Sequence, residues 1–407
     1  MGLGALALVV GVAPFLPDSD GPDRSIEPRR TVLATSSTAG AGEVTPAMQA
    51  EIDRVVGEGL AAPRVSARST ARSLAYSAVR CADLEGQRYC LGVGWTTRTE
   101  DEVVDDLART AARQAAGRET TGDLDQLAVL ERSARMAPQA RAASERAELT
   151  DAAMSVAKVW LLRHEIQGVP LPAGFTERHP EAVVSAGSTR TTAATTKTST
   201  ATAASTTSST TSAHKGMADY PRRSWILRPR HSRSQSRTYW CGPASMQAIA
   251  WGWRGEPSPQ RAWARRLGTT SSGTAITEMV RVTNRYTGWD RDDRAGRYIV
   301  LDIGDWSFRQ WYLLMMRHIE DYRAPVVLHP VLLKRYYPYL DDDASGHFQV
   351  GRGYDKNPDG RKLLGYIEVW DQSRFDPSEP RIARRQWRSA YKSYRANRAH
   401  FQHNVGV

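Results

Sequence analysis

Residues 185–213 constrain this chain more than any other stretch. They are Ser, Thr, Ala and Gly throughout, with Arg190 and Lys197 as the only exceptions. Such a run cannot bury enough apolar surface to offset the entropy lost on ordering, so it predicts a flexible linker. In an exported protein its hydroxyls offer attachment points for sugars. It divides the 407 residues into two pieces, each long enough for a core of its own. The expected organisation is a signal-like segment and disordered leader over 1–44, a small α+β domain over 45–182, the linker over 183–215, and a second domain over 216–407.

The compartment follows from the N-terminus and the cysteines. Residues 3–16 (LGALALVVGVAPFL) have the length of a signal-peptide core and are too short to span a bilayer. No Lys or Arg precedes them, so the usual basic flank is missing. No later stretch has the length and apolarity of a membrane helix. Cys81 and Cys90 flank Glu85-Gly86, the expected tip of a hairpin, and in an exported chain they predict a disulfide. Cys241 is then the odd thiol. The expected location is secreted or associated with the cell surface, with no membrane span in the mature protein.

The first domain reads as α+β. Helical spacing covers 45–60, strands are expected over 73–80 and 89–95, and Thr99 with Glu102 forms a capping box that opens a helix to about residue 116. Further helices are expected over 124–135 and 141–164. His164 and His179 are isolated there, and no catalytic constellation is visible. A prodomain, a targeting module and a scaffold all suit this domain.

The second domain carries the chemistry. Gln235 stands six residues ahead of Cys241, and Cys241-Gly-Pro-Ala opens an expected buried helix with Pro243 in its first turn. A thiol at a helix N-terminus faces unpaired N–H groups and the positive end of the dipole, which favour the thiolate. The Gln235 amide and the Cys241 N–H can together hold an oxyanion. Downstream, Gly346-His347-Phe348-Gln349-Val350 reads as a turn entering a strand, and residues 364–370 read as a second strand ended by Asp371.

This order of elements and residues resembles the bacteriocin-processing type of papain-like cysteine peptidase, over roughly residues 220–407. Its motifs run Q-x5-C-G-P-A, then G-H-[FY]-x-V-x-x-G-[YF]-D, then a strand ending in Asp. The resemblance implies a papain-like α+β fold with helices packed on an antiparallel sheet. It implies Cys241 as nucleophile, His347 as base, Asp371 as orienter and Gln235 as oxyanion residue. Gln372 departs from the pattern, which often has Pro after the Asp. The substrate implied is a peptide or protein; no cofactor and no metal is called for. The same constellation suits an amidase or acyltransferase acting on cell-wall peptides, and an idle peptide-binding module is the alternative from another class.

The remaining features carry less. Asp341, Asp342 and Asp343 read as a solvated loop, because adjacent side chains do not converge on one ion unaided. His318, His329, His400 and His403 show no metal-ligand spacing. Charge is lopsided, +13 from residue 216 onward and −2 before it. The excess Arg reads first as a solvated face and second as attraction to an anionic cell surface, and no motif for sequence-specific nucleic-acid binding accompanies it.

Overall fold

Trp95 pairs with Leu301, and that single register joins the two halves of the chain. The computed structural model describes residues 36–62, 70–114, 120–124, 126–184, 215–357 and 359–407. The signal-like segment and nearly all of the expected linker lie outside the described residues.

In chain order the strands are β1 (Ser37–Ala39), β2 (Cys81–Leu84), β3 (Gln87–Cys90), β4 (Gly94–Thr96), β5 (Ala182–Val184), β6 (Arg223–Trp225), β7 (Val300–Asp302), β8 (Val326–Leu328), β9 (Gln349–Lys356), β10 (Lys362–Ile367), β11 (Arg385–Ser389) and β12 (Asn404–Gly406). β1 and β5 form a two-stranded pair. The others form one sheet in the order β11-β10-β9-β8-β12-β7-β4-β3-β2, with β6 on β9. Its pairings are antiparallel except β4 with β7. The fold is α+β, with helices packed on a mostly antiparallel sheet, as expected of the papain-like plan.

The division into two separate domains does not describe this fold. Strands β2 to β4 come from the first half and complete the sheet of the second. One apolar cluster holds Ile52, Leu149 and Leu162 together with Leu301, Trp311 and Tyr366. Gly94 allows the close approach at the seam: a Cβ there would lie 2.6 Å from Val300 Cγ1 and from its carbonyl oxygen. Polar ties reinforce it. Arg98 Nε donates to Asp302 at 2.9 Å, and Thr96 Oγ1 donates to the same carboxylate at 2.7 Å.

Local expectations fared unevenly. The helix Pro46–Ala61 is capped by Thr45, and Glu100–Gln114 starts with the reciprocal Thr99 and Glu102 bonds. The Cys81–Cys90 disulfide closes β2 on β3, where the two cysteines are direct register partners. Residues 73–80 are not a strand. The helix Ala71–Ala78 covers most of them, capped by the Thr70 hydroxyl, because Leu74, Ala75 and Val79 are buried at helical rather than alternating spacing. Among the described residues no helix is long and apolar enough to cross a membrane.

Candidate active site

The helix Cys241–Arg254 is buried from its first residue to Trp251, so its amphipathic character is weak and its N-terminus faces protein rather than water. Thr274 packs against Gly242, where a Cβ would meet Thr274 Oγ1 at 2.5 Å. Ser245 Oγ donates to the Phe348 carbonyl at 3.0 Å, which ties the helix to the segment carrying His347. That segment enters β9, with the His347 N–H on the Pro330 carbonyl at 2.9 Å.

The His347 ring is fully buried and contacted on both nitrogens. Nε2 lies 2.7 Å from Glu368 Oε1, and Nδ1 lies 3.0 Å from Thr121 Oγ1. Glu368 follows β10 directly. Its Oε1 also accepts from the Trp370 N–H at 2.9 Å, and its Oε2 accepts from Gln349 Nε2 at 2.7 Å and from the Tyr339 hydroxyl at 2.9 Å. Burial pushes the Glu368 carboxyl up. The His347 charge, with the bonds from His347, Trp370 and Gln349, outweighs burial and holds it below the usual range.

Asp371, the expected orienter, is elsewhere. Its Oδ1 accepts from Ser373 Oγ at 2.9 Å and from the Ile382 N–H at 3.2 Å, which organises the turn after β10. The carboxylate on His347 is Glu368, three residues earlier. β10 ends at Ile367, so Glu368 follows it directly with its carboxylate on His347, while Asp371 lies three residues further on, at the start of the turn.

Gln235 is fully buried, and its N–H donates to the Val369 carbonyl at 2.8 Å. Its Nε2 donates to the carbonyls of Thr121 at 3.0 Å, Arg237 at 3.0 Å and Thr238 at 2.8 Å. The Cys241 N–H reaches the same Thr121 carbonyl at 3.3 Å. Gln235 and the Cys241 N–H therefore converge on one oxygen, as two oxyanion donors must.

Residues 120–124 supply that oxygen and run across the site. Thr121 N–H donates to Ser345 Oγ at 3.1 Å, and its hydroxyl donates to the Gly346 carbonyl at 2.9 Å. Gly122 carbonyl accepts from the Thr274 N–H, and the Leu124 N–H donates to the Thr274 carbonyl, both at 2.9 Å. Gly122 has φ +108° and lies against Tyr239, where a Cβ would come within 2.3 Å of the Tyr239 carbonyl carbon.

Asp123 is held on both oxygens. Oδ1 lies 2.8 Å from His329 Nε2, and Oδ2 lies 2.8 Å from His400 Nε2. The Gln402 N–H donates to His400 Nδ1, which leaves the Nε2 proton for Asp123. Asn404 uses its amide nitrogen on the Val93 carbonyl, so its oxygen faces His329 Nδ1 at 2.7 Å. Burial alone would raise the Asp123 carboxyl, but the two histidines bring it down to about 2. These three side chains also offer ligand atoms within 4.8 Å of one another. The direct Nε2 to carboxylate bonds describe a clamped carboxylate rather than three ligands around a shared centre.

The Cys241 thiol does not have the lowered pKa expected at a helix N-terminus. Burial and the Asp123 charge push it well above the ordinary value, against smaller downward effects of the Phe348 and Gly242 backbone.

Residues 217–395 match the family model described as Peptidase_C39 like family. The C-terminal half thus carries the match to this peptidase family, on an α+β fold consistent with the papain-like plan. No curated protein matches the chain. The family match covers Gln235, Cys241, His347 and Glu368, whereas Thr121 and Asp123 lie before it and His400 after it. Of the expected site residues, Gln235, Cys241 and His347 surround residues 120–124, and Asp371 does not touch them. Sequence reasoning missed Glu368, Thr121, Asp123, His329 and His400. A carboxylate inside the apolar run Tyr366-Ile-Glu-Val-Trp370 was a visible signal, since a buried Glu needs a partner. The other four come together only through long-range packing.

Proposed function

We propose that the chain is an exported cysteine peptidase in which Cys241 attacks a peptide carbonyl and His347 carries the proton. Glu368 orients the imidazole. Gln235 Nε2 and the Cys241 N–H hold the developing oxyanion. The family match supports peptidase chemistry in general. The observation that carries the residue assignment is the convergence of Gln235 and the Cys241 N–H on a single peptide carbonyl, the Thr121 oxygen. Export is supported by the Cys81–Cys90 disulfide, which persists in oxidising compartments. Substrates are peptides or proteins.

The test is covalent labelling with a thiol-directed peptidase probe, followed by mapping of the labelled residue and a peptide-library cleavage screen. Labelling of Cys241 and cleavage lost in Cys241→Ser are the expected results. An unlabelled Cys241 in a chain that cuts no peptide would leave a binding module.

A further inference from the structure

Residues 120–124 lie in the site as a peptide substrate would. The Thr121 carbonyl occupies the position between Gln235 Nε2 and the Cys241 N–H, at 3.0 and 3.3 Å. The following residues pair backbone to backbone with Thr274, as an extended substrate pairs with a cleft wall. Two residues after the carbonyl, Asp123 enters a buried clamp formed by His329 and His400. A methyl group at Gly122 or Gly346 would collide with this arrangement: at Gly122 with the Tyr239 backbone, and at Gly346 with Asp123 Oδ2 at 2.2 Å and His400 Nε2 at 2.5 Å. The fit therefore involves the segment and the cleft together.

We infer that the chain cleaves itself between Thr121 and Gly122, and that the His329–His400 clamp recognises an acidic side chain at the second position after the cut. This rests on the peptidase reading above and adds its substrate. Cys241 gives its proton to His347 as its Sγ bonds to the Thr121 carbonyl carbon, and the carbonyl electron pair moves to the oxygen held by Gln235 and the Cys241 N–H. The carbonyl re-forms as the Thr121–Gly122 bond breaks, and the proton on His347 passes to the Gly122 nitrogen, which leaves as a new amino terminus. The thioester of Cys241 with Thr121 is then hydrolysed: water adds its oxygen to the Thr121 carbon as His347 takes one of its protons, the bond from that carbon to Cys241 Sγ breaks, and His347 returns the proton to the departing sulfur. The products are a carboxyl terminus at Thr121 and an amino terminus at Gly122. No oxidant or co-reactant is needed.

The full chain is expressed as wild type, Cys241→Ser, Cys241→Ala and Asp123→Asn, and each is followed over time by intact mass under denaturing conditions and by sequencing of new amino termini. Thermal melting checks that each variant folds. A nine-residue peptide of sequence Arg-Glu-Thr-Thr-Gly-Asp-Leu-Asp-Gln, and its Asn analogue at the Asp123 position, are offered to the same preparations. The expected result is a wild-type fragment starting at Gly122, intact Cys241 variants, and cleavage slowed about tenfold or more in Asp123→Asn and in the Asn peptide, because the clamp loses its charged partner. A wild-type chain that stays whole while Cys241 takes the thiol probe and other peptides are cut overturns this inference and leaves the peptidase reading standing. So does a cut that persists in folded Cys241→Ser and Cys241→Ala, or one at another bond. A chain that neither labels nor cuts any peptide removes both.

Discussion

Glu368 Oε1 lies 2.7 Å from His347 Nε2, and both side chains are shut off from water. A buried carboxylate on the outer nitrogen fixes the ring, as the orienting group of a thiol peptidase does. Asp371 instead accepts from Ser373 and the Ile382 N–H. Glu368→Gln is therefore expected to lower kcat by roughly 10²-fold, the lower end of what acid–base catalysis contributes. Asp371→Asn is expected to leave kcat near wild type and to cost some stability. Steady-state kinetics on one peptide substrate distinguishes them, and the opposite ranking would return the role to Asp371.

Cys241 should react slowly while residues 120–124 are in place. Burial and the Asp123 carboxylate both disfavour the thiolate. In the uncut Asp123→Asn chain one of these causes is gone, so the alkylation rate should rise with a transition at lower pH than in an uncut chain with Asp123. Cys241 alkylation against pH measures this. Identical profiles would mean that the Asp123 charge does not reach the thiol.

Acid stability should carry two signatures of the clamp. Burial and the neighbouring His329 lower His400 to about 4, so between roughly pH 6.5 and 4 the unfolded chain takes up a proton that the folded chain refuses, and stability falls with pH. Asp123 is held at about 2, below its unfolded value near 3.9. Its contribution, on the order of 2 kcal/mol, is present above about pH 4 and is lost as pH falls towards 2. Tm against pH for wild type and Asp123→Asn tests the second signature, which should shrink in the variant.

A fragment beginning at Gly216 should not fold as the whole chain does. It would lack β2 to β4 and expose the face of Leu301 and Trp311 that packs against Ile52, Trp95 and Leu149. Insolubility, or loss of near-ultraviolet circular dichroism, is the expected outcome. A monomeric, probe-reactive fragment would show that the shared core is dispensable.

The disulfide has its own measurement. Under denaturing, non-reducing conditions one thiol should alkylate, and three after reduction, because only Cys241 is free. Replacing Cys81 and Cys90 by Ala should cost about 2–3 kcal/mol, the value for closing a loop this short.

What could be read from the sequence follows how local each signal is. Capping and periodicity gave away Pro46–Ala61 and Glu100–Gln114, and the Cys-Gly-Pro-Ala run gave away the Cys241 helix, because neighbouring residues carry those signals. The hairpin cysteines declared themselves the same way. The union of the halves did not, since a polar tract reads as a domain boundary whether or not strands on either side meet. His329 and His400 were dismissed for want of ligand spacing, yet their partner is Asp123, more than 200 residues away. The motif of a strand ending in Asp points to Asp371, whereas Glu368 lies within the apolar run three residues earlier, where local sequence does not show its His347 partner.

The pairing of β4 with β7 has a bearing on how a break near residue 121 would look. Strands β2 to β4 and the helix Pro46–Ala61, which precede the break, are knitted into the sheet and core, so the two pieces would travel as one particle. Size-exclusion chromatography and native electrophoresis would report an unchanged protein. Only the removal of packing, by detergent or denaturant, would reveal two chains where the gene wrote one.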